Sequence, residues 1–190
     1  QRQMCIRDRR LCVTKGNLTS AVYETGLKYK ELNNKPEIQI LIEVEEENMV
    51  LFFDKEVITM ILDNLISNAL KYTEKGYVRI RAEWVTENGI RYAQLSVEDT
   101  GYGIGQDALA HIFERYYQES GEHQASGTGI GLALVKNLVK LHEGDIQVKS
   151  LPEIGTTFYL RLPAGNTYPQ ALHGEDIHTD KQDGKEEEPI

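Results

Sequence analysis

The stretch 54-DKEVITMILDNLISNALKYT-73 decides the fold, because Ile58, Ile61, Leu62, Leu65, Ile66 and Ala69 recur in it at intervals of three and four. That period belongs to a helix with one buried face. Asp54, just ahead of the apolar series, suits an N-cap, and Gly76 beyond Thr73 suits a stop. A second pattern rides on the same helix. Asn64, Asn68, Lys71 and Tyr72 fall at offsets 0, 4, 7 and 8, which at ~100° per residue sets them within roughly a quarter turn beside the apolar stripe. Such a polar edge serves equally as solvent surface or as one wall of a ligand site. For the second use, the amide of Asn68 offers Mg²⁺ a neutral oxygen, and Lys71 offers charge to phosphates.

Working outward, residues 17–32 carry Leu18, Val22 and Leu27 in a modest amphipathic helix closed by 33-NNKP-36. Next, 37-EIQILIEVE-45 alternates Ile38, Ile40, Ile42 and Val44 with polar residues, the period of a strand, and 49-MVLFF-53 is a short extended piece. After the long helix come two strands, 77-YVRIRAEWV-85 and 90-IRYAQLSVE-98, joined through the hairpin signal Asn88-Gly89. A helix is expected over 106-QDALAHIFERYY-117 and another over 132-LALVKNLVKLH-142. Strands 145-DIQVKS-150 and 156-TTFYLRLP-163 end the ordered part.

With 190 residues, 40% hydrophobic and 27% charged, the chain has enough material for one packed domain plus flanking segments. Its net charge of −9 argues against a nucleic-acid surface. No apolar run approaches the ~18 to 20 residues of a membrane span, so no membrane insertion is expected of this segment. Residues 1–16 read as irregular. Within them 4-MCIRDR-9 is what a common sequencing-adaptor end encodes, so this N-terminus is treated as artefactual. Cys5 and Cys12 form no metal or disulfide pattern, and a reducing cytoplasm is the expected compartment. Beyond Ala164 seven acidic residues face two lysines, the composition of a disordered linker or tail over 164–190.

Two glycine clusters remain. In 99-DTGYGIG-105, Gly101, Gly103 and Gly105 can take positive φ and let backbone approach a ligand. Asp99 supplies a carboxylate able to accept from an exocyclic amine such as that of adenine. The spacing is not the G-x-G-x-x-G of a dinucleotide fold, and the chain holds no Gly-Lys-Ser or Gly-Lys-Thr of a P-loop. The second cluster, 127-GTGIG-131, runs straight into a helix, where backbone N–H groups suit an anion and Thr128 suits a cap.

Taken in order, 64-NLISNALKYT-73 resembles the N box, 99-DTGYGIG-105 the G1 box, 112-IFERYYQ-118 the F box and 127-GTGIGLALVK-136 the G2 box of the catalytic ATP-binding domain of bacterial sensor histidine kinases. The resemblance spans residues 17–163. It implies an α+β, two-layer α/β sandwich of the Bergerat type, with a mixed β-sheet packed against helices and an ATP lid. Residue by residue it makes Asn68 the Mg²⁺ ligand and sets Asn64 where ATP-hydrolysing relatives keep a water-activating Glu. Lys71 and Tyr72 match the phosphate and nucleoside side, and Asp99 the adenine reader. Gly101, Gly103, Ile104, Gly105, Gly127, Thr128, Gly129, Gly131 and Leu132 match the pocket border.

Gln118 stands where many relatives carry a basic residue, so Arg115 is the candidate for that charge. None of His111, His123, His142, His173 and His178 sits in a phosphoacceptor setting. The implied partners are therefore a dimerisation and histidine phosphotransfer domain elsewhere in the parent kinase and, after 186-EEEPI-190, a receiver domain. The parent is expected to be anchored in the inner membrane. Two other readings stay open: an ATP-binding regulatory module without phosphotransfer, and an ATP-hydrolysing relative.

Overall fold

The computed structural model describes residues 11–117 and 131–165. Along the chain run β1 (Thr14–Asn17), α1 (Leu18–Leu32), β2 (Ile38–Val44), β3 (Val50–Phe53), α2 (Lys55–Tyr72), β4 (Gly76–Glu87), β5 (Ile90–Asp99), α3 (Gln106–Leu109), α4 (Gly131–Leu141), β6 (Asp145–Leu151) and β7 (Gly155–Pro163). Five strands form one sheet in the order β2-β4-β5-β7-β6, with β2 and β4 parallel and the other neighbours antiparallel. β1 and β3 pair separately. The mixed sheet under helices is the architecture that the resemblance implies.

The helices cover one face of the sheet, and register explains why. Because side chains alternate along each strand, cross-strand partners line up in rows. Ile80, Val97, Phe158 and Val148 make one row, and Ala82, Leu95, Leu160 and Ile146 the next. α2 lays Ile58, Ile61, Leu62 and Ile66 against this layer, each fully buried. Burying such a side chain contributes about 1.5–3 kcal/mol, so the apolar period read from the sequence holds α2 on the sheet. The Asn88-Gly89 turn has the two positive φ values, 51° and 77°, of the tight hairpin expected there.

Asp54 does more than cap. Its Oδ1 accepts from the N–H groups of Glu56 and Val57, while Oδ2 accepts from Cys12 N–H at 2.9 Å. Its own N–H donates to Nε2 of His142, also at 2.9 Å. His142 is fully buried and desolvation holds its pKa below the usual value, so the imidazole serves as a neutral acceptor tying the end of α4 to the start of α2. It is a packing histidine.

The structure corrects two expectations. Residues 14–16, expected to be irregular, and Asn17, expected to open the first helix, form a strand, because β1 pairs with β3 in the register Thr14↔Phe53, and Leu11 and Val13 are buried just ahead of it against Phe52 and Leu141. Asn17 then caps α1 by accepting from Thr19 N–H, and also accepts from Met49 N–H. The helix expected over 106–117 shrinks to the four residues of α3. Beyond it, His111 N–H donates to Ala108 and Glu114 N–H to His111, a spacing of three. These tight turns take the segment off the regular helical path, and within it Ile112 is buried and Phe113 packs on the core. His111 therefore lies in a turn.

Candidate nucleotide site

One row of the sheet breaks the apolar pattern. At the end where α2 finishes, the row reads Val78, Asp99, Thr156 and Ser150. Its three polar members lie in phase with Val97, Phe158 and Val148 and are only 5–9% exposed. Asp99 closes β5. Its Oδ1 accepts from Gly101 N–H at 2.9 Å, and the backbone of Thr156 also hydrogen-bonds the carboxylate. Both bonds favour the ionised form, yet burial outweighs them and, with Glu98 adding a little, pushes the pKa up to about 6. No described cation pairs with it. A buried carboxylate in that condition gains from any donor that reaches it.

The glycine segment is clamped between α2 and the β6–β7 turn. Tyr102 N–H donates to the carbonyl of Tyr72, and Tyr102 in turn accepts from Glu153 N–H. A Cβ on Gly101 would stand 2.4 Å from the Tyr72 carbonyl oxygen, so position 101 needs glycine for space. Gly103 needs it for conformation, with φ +72° and the Leu151 carbonyl pressed against it. Of the three glycines able to take positive φ, Gly103 alone does so. Gly105 has φ −65° and starts α3. Ile104 packs on the core, and its N–H donates to Ser150 Oγ at 2.8 Å.

On α2 the four candidates share a half-buried edge. The two asparagines differ sharply. Asn64 is tied down: its Nδ2 donates to the Met60 carbonyl at 2.8 Å, and its Oδ1 lies 3.0 Å from where a Cβ on Gly131 would be. The first residue of α4 therefore rests on Asn64 because it is glycine. Asn68, one turn on, makes no hydrogen bond to a described residue, which leaves its carbonyl available. Lys71 extends its ammonium over the Tyr72 ring, 5.3 Å from the centroid. Leu132 is half-buried on α4.

The structure thus brings Asp99, Gly101, Gly103, Ile104 and Tyr72 together at the sheet end of α2, and Asn64 together with Gly131 at the start of α4. Arg115 lies on an exposed turn next to Tyr116, whose φ is +62°. Gly127, Thr128, Gly129, Gln118 and His123 lie outside the described residues, as do His173 and His178. Sequence reasoning missed Ser150 and Thr156. Their signal was phase: each sits at an inward strand position where Ile146, Val148, Phe158 and Leu160 lead one to expect an aliphatic residue. Among the described residues no three His, Cys, Asp or Glu side chains cluster to hold a metal ion, and no helix is long and apolar enough to cross a membrane.

The chain is similar to known proteins. Residues 53–166 match the family described as histidine kinase-, DNA gyrase B-, and HSP90-like ATPase. The autoinducer 2 sensor kinase/phosphatase LuxQ of Vibrio harveyi is 40% identical over 140 residues, covering 71% of this chain and 16% of LuxQ. The sensor histidine kinase WalK of Bacillus subtilis is 34% identical over 136 residues, covering 70% of this chain and 22% of WalK. The chain thus spans well under a third of either relative. Among solved structures, full-length ShkA in complex with AMPPNP superposes with a TM-score of 0.71 at 27% identity, over 82% of this chain and 32% of ShkA. The nucleotide-free catalytic domain of the histidine kinase ThkA gives 0.68 at 25% identity, over 80% of this chain and 95% of that domain. On the match over residues 53–166, with the sheet and helices in agreement, the chain belongs to the histidine kinase-, DNA gyrase B-, and HSP90-like ATPase family.

Proposed function

We propose that residues 17–163 bind Mg·ATP and present its γ-phosphoryl group to a histidine on a separate dimerisation domain, in two-component signalling. The observation that carries the reading is the buried carboxylate of Asp99 at the end of β5, which pairs with no cation among the described residues. The adenine amine is a donor of the kind that carboxylate lacks. The similarity to sensor kinases supplies the rest.

In this reading Asp99, Gly101, Gly103, Ile104 and Gly105 form the adenine side. Lys71 and Tyr72 meet the phosphates and nucleoside, and Gly127, Thr128, Gly129, Gly131 and Leu132 border the phosphate side beneath the lid. Asn68 fits Mg²⁺ as a single neutral oxygen ligand. Asn68 would hold the ion together with the nucleotide, and the ion would supply neutralisation of phosphate charge. Catalysis then rests on positioning and charge: Lys71 and Arg115 supply cations. An amide at Asn64 cannot serve as a general base, which spares ATP from attack by water. Residues 164–190 act as a linker toward a receiver domain, and the parent protein is anchored in the inner membrane with this domain in the cytoplasm.

Incubation with γ-labelled ATP tests the reading. The chain alone is expected to bind nucleotide and to remain unlabelled, while a dimerisation fragment of the parent becomes labelled when the chain is added. Stable self-labelling, or rapid hydrolysis by the chain alone, overturns it.

A further inference from the structure

The hydroxyl of Ser150 has more partners than any single strand residue needs. It accepts from Ile104 N–H at 2.8 Å, bonds the Gly155 carbonyl at 3.0 Å and meets Thr156 Oγ1 at 2.7 Å. A serine hydroxyl has one hydrogen and two lone pairs. Donating to Gly155 therefore makes Thr156 the donor of the remaining bond, and the capacity of Ser150 is filled. The environment is dry, with Ser150 9% and Thr156 5% exposed. Two strands and the glycine segment meet at this one atom, and a third strand lies one register pair away. Ser150 and Thr156 are register partners in β6 and β7, Thr156 partners Asp99 in β5 and hydrogen-bonds its carboxylate through the backbone, and Ile104 lies five residues beyond Asp99.

We propose that Ser150 is a positioning residue of the nucleotide site, whose hydroxyl fixes the glycine segment and the Thr156–Asp99 pair in the geometry that reads the C6 amine of a purine, where guanine carries a carbonyl. The proposal deepens the ATP-binding reading and rests on it. Ser150 itself touches no nucleotide. Without its hydroxyl, the Ile104 N–H, the Gly155 carbonyl and the Thr156 hydroxyl are all left buried without that partner, a cost the segment relieves by moving away from β6. A purine with a carbonyl in place of the amine gains nothing from Asp99, so its weak binding is insensitive to that movement. Loss of the hydroxyl is therefore a loss of discrimination.

The test is the ratio of Mg·ATP to Mg·GTP affinity, measured by calorimetry on the full chain as wild type and as Ser150→Ala, Ser150→Cys and Ser150→Thr, with thermal unfolding recorded for each. The alanine variant is expected to lose about tenfold in the ratio, through ATP and not GTP, while the threonine variant keeps it. If the alanine variant does not fold, the cysteine variant answers the question, since sulfur keeps the volume and is a poor acceptor: its ratio should fall below that of the threonine variant. Equal ratios in serine, threonine and cysteine forms, or an alanine variant that unfolds at lower temperature with its ratio intact, overturn the proposal. A wild-type chain that binds no ATP overturns the underlying reading as well.

Discussion

Two rows of the same sheet face, built from the same strands at the same depth, do opposite things. Ala82, Leu95, Leu160 and Ile146 interlock with the helices, and Ala82, Leu95 and Leu160 are at most 2% exposed. Two rows along, Asp99, Thr156 and Ser150 are nearly as buried, yet each needs a hydrogen-bond partner to be there. The apolar row gains stability from losing water. The polar row loses stability, most plainly at Asp99, whose pKa rises to about 6 because burial opposes its charge. A fold tolerates such a row where another molecule completes it.

The comparison can be broken most forcefully at Leu160. Leu160→Ala is expected to cost about 2–5 kcal/mol by denaturant titration, with nucleotide affinity of the folded molecule unchanged; a parallel fall in affinity would show that the two rows are not separable. Asp99→Asn runs the other way. The folded pKa of Asp99 lies above its unfolded value of 3.8, so ionisation at neutral pH weakens the fold. Removing the charge should raise stability at pH 7 by roughly 1–3 kcal/mol while ATP binding weakens at least about tenfold. That stability gain is fully present above pH about 6 and fades as pH drops toward the ordinary carboxylate range. Urea titrations of both proteins at pH 7 and pH 4 check it, and a gain that persists at pH 4 would assign it elsewhere.

Wild-type binding carries the same signature in a smaller effect. The bound amine favours the carboxylate, so ATP affinity should fall about tenfold between pH 7 and pH 5, and Asp99→Asn should flatten that profile. The smallest effect belongs to neither row. Lys28 pairs with Asp63 across α1 and α2 near the surface, and Lys28→Ala should shift stability by less than about 1 kcal/mol and leave nucleotide affinity alone. A larger loss would place an energetic link between that helix pair and the sheet.

Much of this was readable before any coordinates. The period of Ile58, Ile61, Leu62, Leu65 and Ile66 and the alternation around Ile38 and Ile40 report burial directly, so α2 and β2 emerge from sequence alone. β1 does not, because 14-TKGN-17 has no alternation of its own and becomes a strand only through β3. The short α3 escaped because Ile112 and Phe113 reach the core from a turn, and their apolar character alone does not separate that from a helix. In the site, Asp99 stood out by its glycines. Ser150 and Thr156 are single small polar residues, and their meaning exists only in register, which places two of them beside a carboxylate some fifty residues earlier.

Strand order carries a final consequence, one of timing. Asp99 belongs to β5, but the partners that complete its row come from the hairpin of residues 145–163, whose second strand inserts between β5 and β6. Synthesis proceeds from the N-terminus, and pairings this distant in sequence form slowly. The buried carboxylate therefore has no finished surroundings until Pro163 has left the ribosome. A nascent chain arrested before β7 holds the glycine segment and the whole of α2, yet lacks the wall against which a nucleotide would be measured.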